Sequence, residues 1–474
     1  MGSSSASSSW LSPRATVFSL ASSPKREPFS SSFFSCKSST TNTITCCATD
    51  PTDDSSSTSS SSSSLLSASY TRRWYNPLRR RPYDHPSPEI FRHWVEEDQS
   101  QASQERFTMV SYNILGDRNA FKHRDLYKNV DPLYLEWAHR KRALNKELAG
   151  WNADVICLQE VDRYYDLLKL MEKAGYAGSY KRRTGDYADG CAMFWKADKF
   201  QLLEGESIEF KALGLRDNVA QLSVFEICEA ESRRLLVGNI HVLYSPNRGE
   251  IKLGQIRFLL SRAQILAEKW GNIPVILAGD FNSTPQSAIY KFLASSELNI
   301  MLYDRKQMSG QRNCDPTQVF GLKTELSTPL HLMDRFLKNC WTNEEVKVAT
   351  GDPECQLLTH PLKLRSSYAT LKGSTRTRDL NGEPLATSYH SKFLGTVDYL
   401  WYSDGVAPIR VLDTLPFDTL RRTGGLPCEK LGSDHLALVS EFTFTQGAKE
   451  GSTTNKATVS AADTSSSRED DKSK

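Results

Sequence analysis

The sequence predicts an α/β fold. Several short apolar runs end in a polar residue, as strands that are covered on both faces do. Two longer segments between these runs carry apolar residues at helical spacing. Strands that alternate with helices in this way are typical of α/β proteins.

The clearest strand starts at Pro274 and reads Pro-Val-Ile-Leu-Ala-Gly-Asp-Phe-Asn-Ser as far as Ser283. A proline suits the first position of a strand, and Gly279 allows the backbone to bend or to approach a neighbour closely. Alternation along an extended chain would send Asp280 and Asn282 to the same side. The plain alternative is an Asx-turn, in which one of these side chains bonds its own backbone and closes the strand.

Further segments repeat this design of an apolar run with a polar residue in it or at its end. They are Met109–Asn113, Ala153–Val161 with Glu160, Leu235–His241 and Gly395–Ser403 with Asp398. Gly432-Ser433-Asp434-His435 adds two more polar groups near the end of the folded region. An unpartnered buried carboxylate is costly, so this many acids on strands indicate one shared site that pairs them or binds cations.

Two segments have the periodicity of helices. Asp131–Trp151 carries the apolar series Tyr134, Trp137, Ala138, Leu144 and Leu148, and Gln255–Trp270 carries Ile256, Leu259, Leu260, Ala263 and Leu266. We interpret the aromatic residues of these helices as core. The span between Asp280 and Asp398 is rich in turn residues, and we interpret it as a source of substrate-facing loops.

Composition divides the chain into four regions. Residues 1–70 are dominated by Ser and Thr, residues 71–103 form a basic and aromatic linker, residues 104–445 form the folded domain, and residues 446–474 are again of low complexity. The two terminal regions contain too few apolar residues to form a core, so we expect them to be disordered.

The N-terminal region also has the composition of an organelle transit peptide. Up to Thr49 it is rich in Ser, with Glu27 as its one acid. An ordinary low-complexity tail is the alternative. No apolar run reaches the length of a membrane span. We therefore expect an intracellular protein that does not bind membranes, imported into plastids or mitochondria or else located in the nucleus and cytoplasm.

Net charge and cysteine spacing bear on nucleic-acid binding, zinc sites and disulfides. A net charge of +3 is too small to indicate nucleic-acid binding by itself, so such binding would depend on local patches. Residues 180–187 and 363–389 each combine basic with aromatic residues, and each fits a solvated loop equally well. The ten cysteines include no Cys-x-x-Cys pair, so we expect neither a zinc site nor disulfides.

Six short motifs follow one another in a recognisable order. They are Tyr112-Asn113-Ile114-Leu115, Leu158-Gln159-Glu160-Val161, Asn239-Ile240-His241, Gly279-Asp280-Phe281-Asn282, Val397-Asp398-Tyr399 and Ser433-Asp434-His435. Together they resemble the endonuclease/exonuclease/phosphatase superfamily over about residues 106–444. The segment from Pro246 to Gln255 and the spacing from Phe393 to Asp398 resemble those of the carbon-catabolite-repressor type of poly(A) deadenylase and its nocturnin and Angel relatives. The chain is most similar to a plant-type member of this group that lacks the leucine-rich repeat. The resemblance implies a four-layer α/β sandwich of two mixed β-sheets flanked by helices.

The resemblance also implies an activity, namely a 3′–5′ exoribonuclease that hydrolyses the phosphodiester bonds of poly(A) tails and releases AMP. Asp280 would take a proton from the attacking water, and His241 and Asn282 would hydrogen-bond the scissile phosphate. Asp398 would orient His435 and keep it cationic.

The same resemblance implies a metal site. Glu160 would be the first ligand, supported by Asn113 and Asp434, and a second ion would lie near Asp280 and Asn282. Oxygen ligands favour Mg²⁺, as one or two ions, with Mn²⁺ as a substitute.

Substrate choice leaves alternatives open. The resemblance implies that Pro246 and Phe393 enclose an adenine of a poly(A) 3′ end, while an ordinary turn and a core aromatic are the plain alternatives. No leucine-rich repeat precedes residue 106, which argues against docking to a deadenylase complex. The alternative activity is a phosphatase that acts on a nucleotide cofactor phosphate or an RNA-end phosphate. An RNA-binding protein with an inactive nuclease fold would lack acids at Glu160, Asp280 or Asp398, and all three are present.

Overall fold

The computed structural model describes residues 89–96, 105–228, 233–321 and 341–445. The predictions for residues 1–70 and 446–474, and for most of the linker 71–103, lie outside the described residues. Within the linker, Trp94–Glu96 forms a strand that pairs with Val406–Leu412. The domain therefore contains residues that precede the boundary predicted at residue 104.

Strands form at each of the apolar runs singled out above. In chain order they are β1 (Trp94–Glu96), β2 (Arg106–Asn113), β3 (Val155–Gln159), β4 (Tyr176–Arg182), β5 (Gly190–Lys196), β6 (Phe200–Glu209), β7 (Val219–Ile227), β8 (Arg234–His241), β9 (Val275–Asp280), β10 (Glu297–Asn299), β11 (Leu357–Thr359), β12 (Arg365–Ser366), β13 (Ser388–His390), β14 (Phe393–Gly395), β15 (Asp398–Tyr402), β16 (Val406–Leu412) and β17 (Leu438–Phe444).

These strands build two large mixed sheets. The first has the order β1-β16-β17-β2-β3-β5-β4, and the second has the order β12-β15-β9-β8-β7-β6. Strands β2 and β3 are parallel, as are β8 and β9, and the other neighbours within the two sheets are antiparallel. Two small two-stranded pairs, β10 with β11 and β13 with β14, complete the description.

The two large sheets pack face to face. Met109 and Cys157 of the first sheet and Phe225 and Ile276 of the second belong to one buried apolar cluster between them. Leu277, the next residue after Ile276, belongs instead to the cluster on the outer face of the second sheet. Successive side chains of a strand point to opposite faces, so strands buried on both faces are continuously apolar.

Helices cover the outer faces. They are α1 (Asp117–Lys122), α2 (Pro132–Leu135), α3 (Trp137–Trp151), α4 (Tyr164–Lys173), α5 (Gly249–Lys269), α6 (Ala288–Ser295), α7 (Pro316–Val319), α8 (Asn343–Thr350), α9 (Ser367–Thr370) and α10 (Phe417–Thr423). Leu144 of α3 and Leu167 of α4 pack on the outer face of the first sheet, and Leu259 of α5 packs on the outer face of the second. The predicted four-layer α/β sandwich is confirmed.

Both predicted helices form, with different limits. The segment predicted as one helix over Asp131–Trp151 is two helices, because Asp131 caps the short α2 and Glu136 is extended before α3 begins. Helix α5 begins at Gly249, before the predicted start at Gln255. A Cβ at Gly249 would lie 2.2 Å from the carbonyl oxygen of Arg305, so the first turn of α5 requires a residue without a side chain.

In the part of the chain that the structure describes, no helix is long and apolar enough to cross a bilayer.

Candidate active site

The predicted site residues lie at one edge of the two large sheets. His241 and Asp280, the last residues of β8 and β9, are paired, and Asp398 at the start of β15 is the antiparallel partner of Asp280. In the first sheet, Asn113 ends β2 beside the end of β3, which leads into Glu160. Parallel strands end at the same edge of a sheet, and an antiparallel neighbour begins there. The topology thus collects residues that are far apart in sequence.

Asp280 lies at the centre of this group. Its Oδ2 accepts a hydrogen bond from Nδ2 of Asn113 at 3.1 Å, and lies 3.5 Å from Nε2 of His241 and 4.0 Å from Nε2 of His435. The side chain is buried. Burial, together with the nearby charge of Asp398, raises the pKa of Asp280 to about 7. A carboxyl group with this pKa can accept and release a proton at neutral pH.

Asp398 and His435 form a buried ion pair. Nδ1 of His435 donates to Oδ2 of Asp398 at 2.8 Å. Burial alone would lower the pKa of His435, but Asp398 outweighs it and the pKa lies well above its ordinary value. The imidazole is therefore protonated at pH 7, and its Nε2–H is on the side of Asp280. Among the described residues, Oδ1 of Asp398 is buried without a hydrogen-bond partner.

His241 is in the opposite protonation state. Burial lowers the pKa of His241 to about 4, although the charge of Glu160 opposes this effect. The backbone oxygen of His241 accepts from Nδ2 of Asn218 at 2.9 Å, which fixes the end of β8. Its Nδ1 is buried and has no hydrogen-bond partner in the part of the chain described here. A buried unpaired polar atom costs roughly 1–3 kcal/mol, and a ligand that supplies a partner would remove this cost.

Glu160 is held by three N–H donors. Oε1 accepts from Nδ2 of Asn113 at 3.2 Å, and Oε2 accepts from Nδ2 of Asn119 at 2.8 Å and from the backbone N of Gly116 at 3.1 Å. Burial acts to raise the pKa of Glu160, but the charge of protonated His241 and the bonds from the two asparagines lower it to about 2. The carboxylate is therefore ionised at neutral pH.

Asn113 faces the acids with its nitrogen. Nδ2 bonds both Glu160 and Asp280, and Oδ1 accepts from the backbone N of Leu115 at 3.1 Å. The metal-ligand role predicted for Asn113 requires its oxygen. In this arrangement Asn113 instead bridges the two carboxylates as a donor.

Asp434 adds a third buried acid. Its Oδ2 accepts from the hydroxyl of Tyr127 at 2.9 Å. Burial raises the pKa of Asp434, His435 opposes this, and the charge of Glu160 adds to it, so the two carboxylates are electrostatic neighbours. The hydroxyl of Ser433 donates to the backbone oxygen of Asn113 at 2.6 Å and joins this loop to the end of β2.

The acids suit a hard divalent cation. Asp434 and Asp280 are buried and Glu160 is half-buried, and their carboxylates supply oxygen ligands whose mutual repulsion a cation would offset. Within the described residues, Asp280, Asp398 and His435 also bring potential ligand atoms within 4.8 Å of one another. His435 is protonated and bonded to Asp398, however, so its ring nitrogens are not free to bind a cation.

Asn282 follows β9 in a left-handed conformation with φ 47°. Its backbone N donates to Oδ1 of Asp280 at 2.8 Å, so the Asx-turn that was the plain alternative is present. The side chain of Asn282 does not continue the strand alternation expected from sequence. Nδ2 donates to the backbone oxygen of Val242 at 3.0 Å, and Oδ1 accepts from Nε2 of Gln311 at 3.0 Å. The turn and the site coexist in the same residues.

The predicted adenine-binding pair is only partly accessible. Phe393 is 7% exposed, and its ring centroid lies 6.0 Å from that of His390. Pro246 is half-buried in the loop before α5. In that loop Tyr244 is 55% exposed. The charges of Lys392, Asp434 and Asp280 act on the hydroxyl of Tyr244, so Tyr244 lies beside the site.

Sequence reasoning missed several residues that support the site. Asn119 and Tyr127 bond metal-ligand candidates, but they lie outside any apolar run and carry no local signal. Arg140 of α3 is fully buried, and its Nη1 donates to the backbone oxygens of Ile114, Leu115 and Gly432 at 3.0, 2.7 and 3.3 Å. The only sign of this role in the sequence was a charged residue within an apolar helical pattern. That sign did not identify the loops that Arg140 connects.

The two segments predicted as basic patches, residues 180–187 and 363–389, differ in the structure. Arg183 lies 3.7 Å above the ring of Tyr187, and its Nη1 is 3.6 Å from Asp189, so the first patch is an ordered surface. In the second patch, Arg378 and Tyr368 are buried, and Arg378 bonds Asp413 at 2.7 Å. That span is therefore not one basic surface.

Comparison with known proteins agrees with this geometry. The model of the Endonuclease/Exonuclease/phosphatase family matches residues 110–435. Carbon catabolite repressor protein 4 homolog 3 of Arabidopsis thaliana is 60% identical over 383 residues, which cover 80% of this chain and 85% of the relative. Human protein angel homolog 2 is 30% identical over 380 residues, which cover 71% of this chain and 69% of the relative.

A solved structure extends the comparison. The crystal structure of ANGEL2, a 2′,3′-cyclic phosphatase, in complex with adenosine-2′,3′-vanadate is 30% identical to this chain with a TM-score of 0.61. The likeness covers 75% of this chain and 99% of that structure. The resemblance to carbon-catabolite-repressor and Angel proteins is thus confirmed. The chain belongs to the endonuclease/exonuclease/phosphatase family of hydrolases.

Proposed function

We propose that this hydrolase is a Mg²⁺-dependent 3′–5′ exoribonuclease that removes poly(A) from RNA and releases AMP. The observation that carries the chemistry is the position of Asp280, buried between His241 and His435 with a pKa raised to about 7. A base of this pKa can take a proton from water at neutral pH, which hydrolysis of a phosphodiester requires.

The surrounding residues divide the remaining work. Asp280 accepts the proton of the attacking water. His435, kept cationic by Asp398, stabilises the charge that develops on the phosphoryl oxygens. His241 and Asn282 hydrogen-bond the same phosphate, and the unpaired Nδ1 of His241 supports a ligand contact there.

Glu160 and Asp434, with Asp280, would hold the divalent cation. When bound, Mg²⁺ neutralises negative charge on the phosphate and lowers the pKa of a coordinated water. The bonds that Asn113, Asn119 and Gly116 make to Glu160 keep this carboxylate oriented and ionised. Asn113 also joins Glu160 to Asp280 through its side-chain nitrogen.

We assign adenine recognition to the loop before α5 and to the start of strand β14. Pro246 and Phe393 are the predicted pair, and the exposure of Tyr244 adds a ring that a base can reach. Stacking on one aromatic ring contributes roughly 1–3 kcal/mol for any base. Selection of adenine therefore also requires hydrogen bonds.

A second candidate is hydrolysis of a terminal phosphate on RNA. The structure with a TM-score of 0.61 is that of a 2′,3′-cyclic phosphatase, and its ligand contains adenosine. Both candidates place an RNA 3′ end in the same site and use Asp280 as the general base. They differ in whether the bond that is cut joins two nucleotides or closes a terminal ring.

One experiment separates the candidates. The purified full chain with Mg²⁺ is offered oligo(A), a mixed-sequence RNA, an RNA ending in a 2′,3′-cyclic phosphate and a phosphorylated dinucleotide cofactor. We expect stepwise loss of 3′ adenosines from oligo(A) and no product from Asp280→Asn or Glu160→Gln. Equal decay of both RNAs would overturn the poly(A) preference, and exclusive opening of the cyclic phosphate would favour the second candidate.

A further inference from the structure

Asn282 is held by a chain of hydrogen bonds that starts in the protein interior. Lys252 of α5 is fully buried, and its Nζ donates to Oε1 of Gln311 at 2.5 Å. Nε2 of Gln311 then donates to Oδ1 of Asn282 at 3.0 Å. Nδ2 of Asn282 donates to the backbone oxygen of Val242 at 3.0 Å. Three side chains from separate parts of the chain thus form one directed series.

Both ends of this series have a fixed direction. Nζ of Lys252 donates to Oε1 of Gln311, so Gln311 turns its oxygen towards Lys252 and its nitrogen towards Asn282. The carbonyl of Val242 can only accept, so Asn282 must turn its nitrogen towards Val242. The two requirements agree, and the hydroxyl of Ser309 adds a second donor to Gln311 at 3.1 Å. Neither amide can rotate by 180° without breaking two bonds.

Lys252 also fixes the backbone of Asn282. Its Nζ donates to the backbone oxygen of Asn282 at 2.6 Å, at a residue whose φ is 47°. Burial lowers the pKa of Lys252 well below its ordinary value, and Asp280 opposes this. Both short contacts of Nζ are to oxygen acceptors, so the Lys252 amine donates in both.

We propose that Lys252 and Gln311 are positioning residues that lock the side chain of Asn282 with its N–H towards the substrate phosphate. One N–H of Nδ2 bonds Val242, and the other is left to donate. A phosphoryl oxygen can only accept, so an amide turned the other way would oppose its oxygen to the phosphate and repel it. The proposal rests on the phosphate-binding role proposed for Asn282.

A merely structural role for the same bonds makes a different prediction. If Lys252 and Gln311 only fill the interior, any replacement that keeps the lysine paired and the volume unchanged should preserve activity. Gln311→Glu is such a replacement, because its carboxylate pairs with Lys252. It removes the donor to Oδ1 of Asn282, however, and sets two acceptors against each other. Our proposal therefore expects the Asn282 amide to rotate in this variant.

The test measures kcat, KM and the side-chain amide signals of Asn282 by ¹H–¹⁵N NMR in the full chain, with oligo(A) and with the cyclic-phosphate RNA. Gln311→Glu should lower kcat by about 10²-fold with little change in KM, and should shift the Asn282 amide signals. Lys252→Met should lower kcat by about 10-fold, because the series of hydrogen bonds is then fixed only at its Val242 end. Gln307→Glu, an exposed change on the same segment, is the control and should match the wild type.

The outcomes separate this proposal from the function on which it rests. In an Asn282→Ala background, Gln311→Glu should cause no further loss, because its effect acts through Asn282. If Asn282→Ala loses activity while Gln311→Glu retains it, the positioning role is wrong and the phosphate role stands. If Asn282→Ala keeps full activity on every substrate, the phosphate role fails, whatever the amide signals show. If the Asn282 amide signals do not shift in Gln311→Glu, the proposal that Gln311 fixes the orientation of this amide is wrong.

Discussion

At the scale of single residues, burial sets the two histidines of the site apart. For His241, whose Nε2 lies 3.5 Å from Asp280, the effect of burial outweighs the opposing charge of Glu160, so the pKa is lowered and the ring is neutral. His435 donates directly to Asp398, so the carboxylate wins and the ring is charged. One residue type thus provides a neutral and a cationic group within reach of the same Asp280 oxygen.

The first prediction concerns this ion pair. Asp398→Asn keeps the shape of the side chain but removes the charge that holds the proton on His435, so kcat should fall by about 10²-fold or more while the fold is retained. Steady-state kinetics with oligo(A), checked by circular dichroism, measures this. Asp404→Asn, at an exposed carboxylate just after β15, is the matched control. A wild-type kcat in Asp398→Asn would remove His435 from the proposed mechanism.

At the scale of elements, the parallel pair of β8 and β9 brings His241 beside Asp280. Gly279 permits this approach. Its φ is 154°, and a Cβ there would lie 2.1 Å from the carbonyl oxygen of Ile240. No side chain fits such a gap, so the close approach of the two strands depends on this glycine.

The second prediction is that Gly279→Ala separates the ends of β8 and β9. It should destabilise the domain by more than about 2 kcal/mol and abolish activity, because both backbone and side chain are strained. Urea unfolding and an activity assay measure the two effects. Gly150→Ala is the control, since its Cβ would meet nothing within 4 Å in helix α3, and it should stabilise by about 0.5–1 kcal/mol. Equal stability of the two variants would contradict the prediction.

At the scale of the whole molecule, strand β1 extends the first sheet beyond the predicted domain boundary. Arg92, just before it, donates to the backbone oxygens of Asp413, Leu412 and Ala437 at 2.7, 3.1 and 2.7 Å. These bonds join the start of the described domain to its last strands.

The third prediction follows from that attachment. A chain that begins at residue 105 loses β1 and the Arg92 bonds, so it should unfold at a lower urea concentration than a chain that begins at residue 89. The chain from residue 89 serves as the reference, and Arg92→Ala in it should reproduce part of the loss. If both chains unfold at the same midpoint, β1 contributes nothing to stability.

The fourth prediction concerns the pH dependence of folding. Glu383 is 1% exposed and bonded by the hydroxyl of Tyr290 at 2.8 Å, and burial raises its pKa from 4.5 to about 7. Between these values the folded chain holds a proton that the unfolded chain has lost, so stability falls as pH rises from about 4.5 to 7 and then stays lower by about 3 kcal/mol.

Glu383→Gln should remove this dependence. Relative to wild type, the variant should gain stability progressively from pH 5 to pH 8, as measured by urea unfolding at each pH. Glu429→Gln, at an exposed position, should leave the difference constant. A difference that does not change with pH for Glu383→Gln would show that the fold does not raise the pKa of this carboxyl.

Much of the fold was predictable because its strands are buried on both faces. Continuous apolar runs such as that of β9 identify strands, and the apolar spacing of α3 and α5 identifies helices. The break at Glu136 was not predictable, since the capping by Asp131 acts against an otherwise helical pattern. Strand β1 was also missed, because three residues carry too little pattern to stand out from a linker.

The order of the motifs and the polar residues at strand ends were determined by the sequence alone. The motifs and the acids Glu160, Asp280 and Asp398 are local properties of short runs of residues, and they indicate the family, whose resemblance implies the sandwich. The sequence could not determine that Asn113 would face the acids with its nitrogen or that Lys252 would reach Asn282. Hydrogen bonds and pKa values depend on which groups the sheets bring together and how completely water is excluded, and only the tertiary structure decides both.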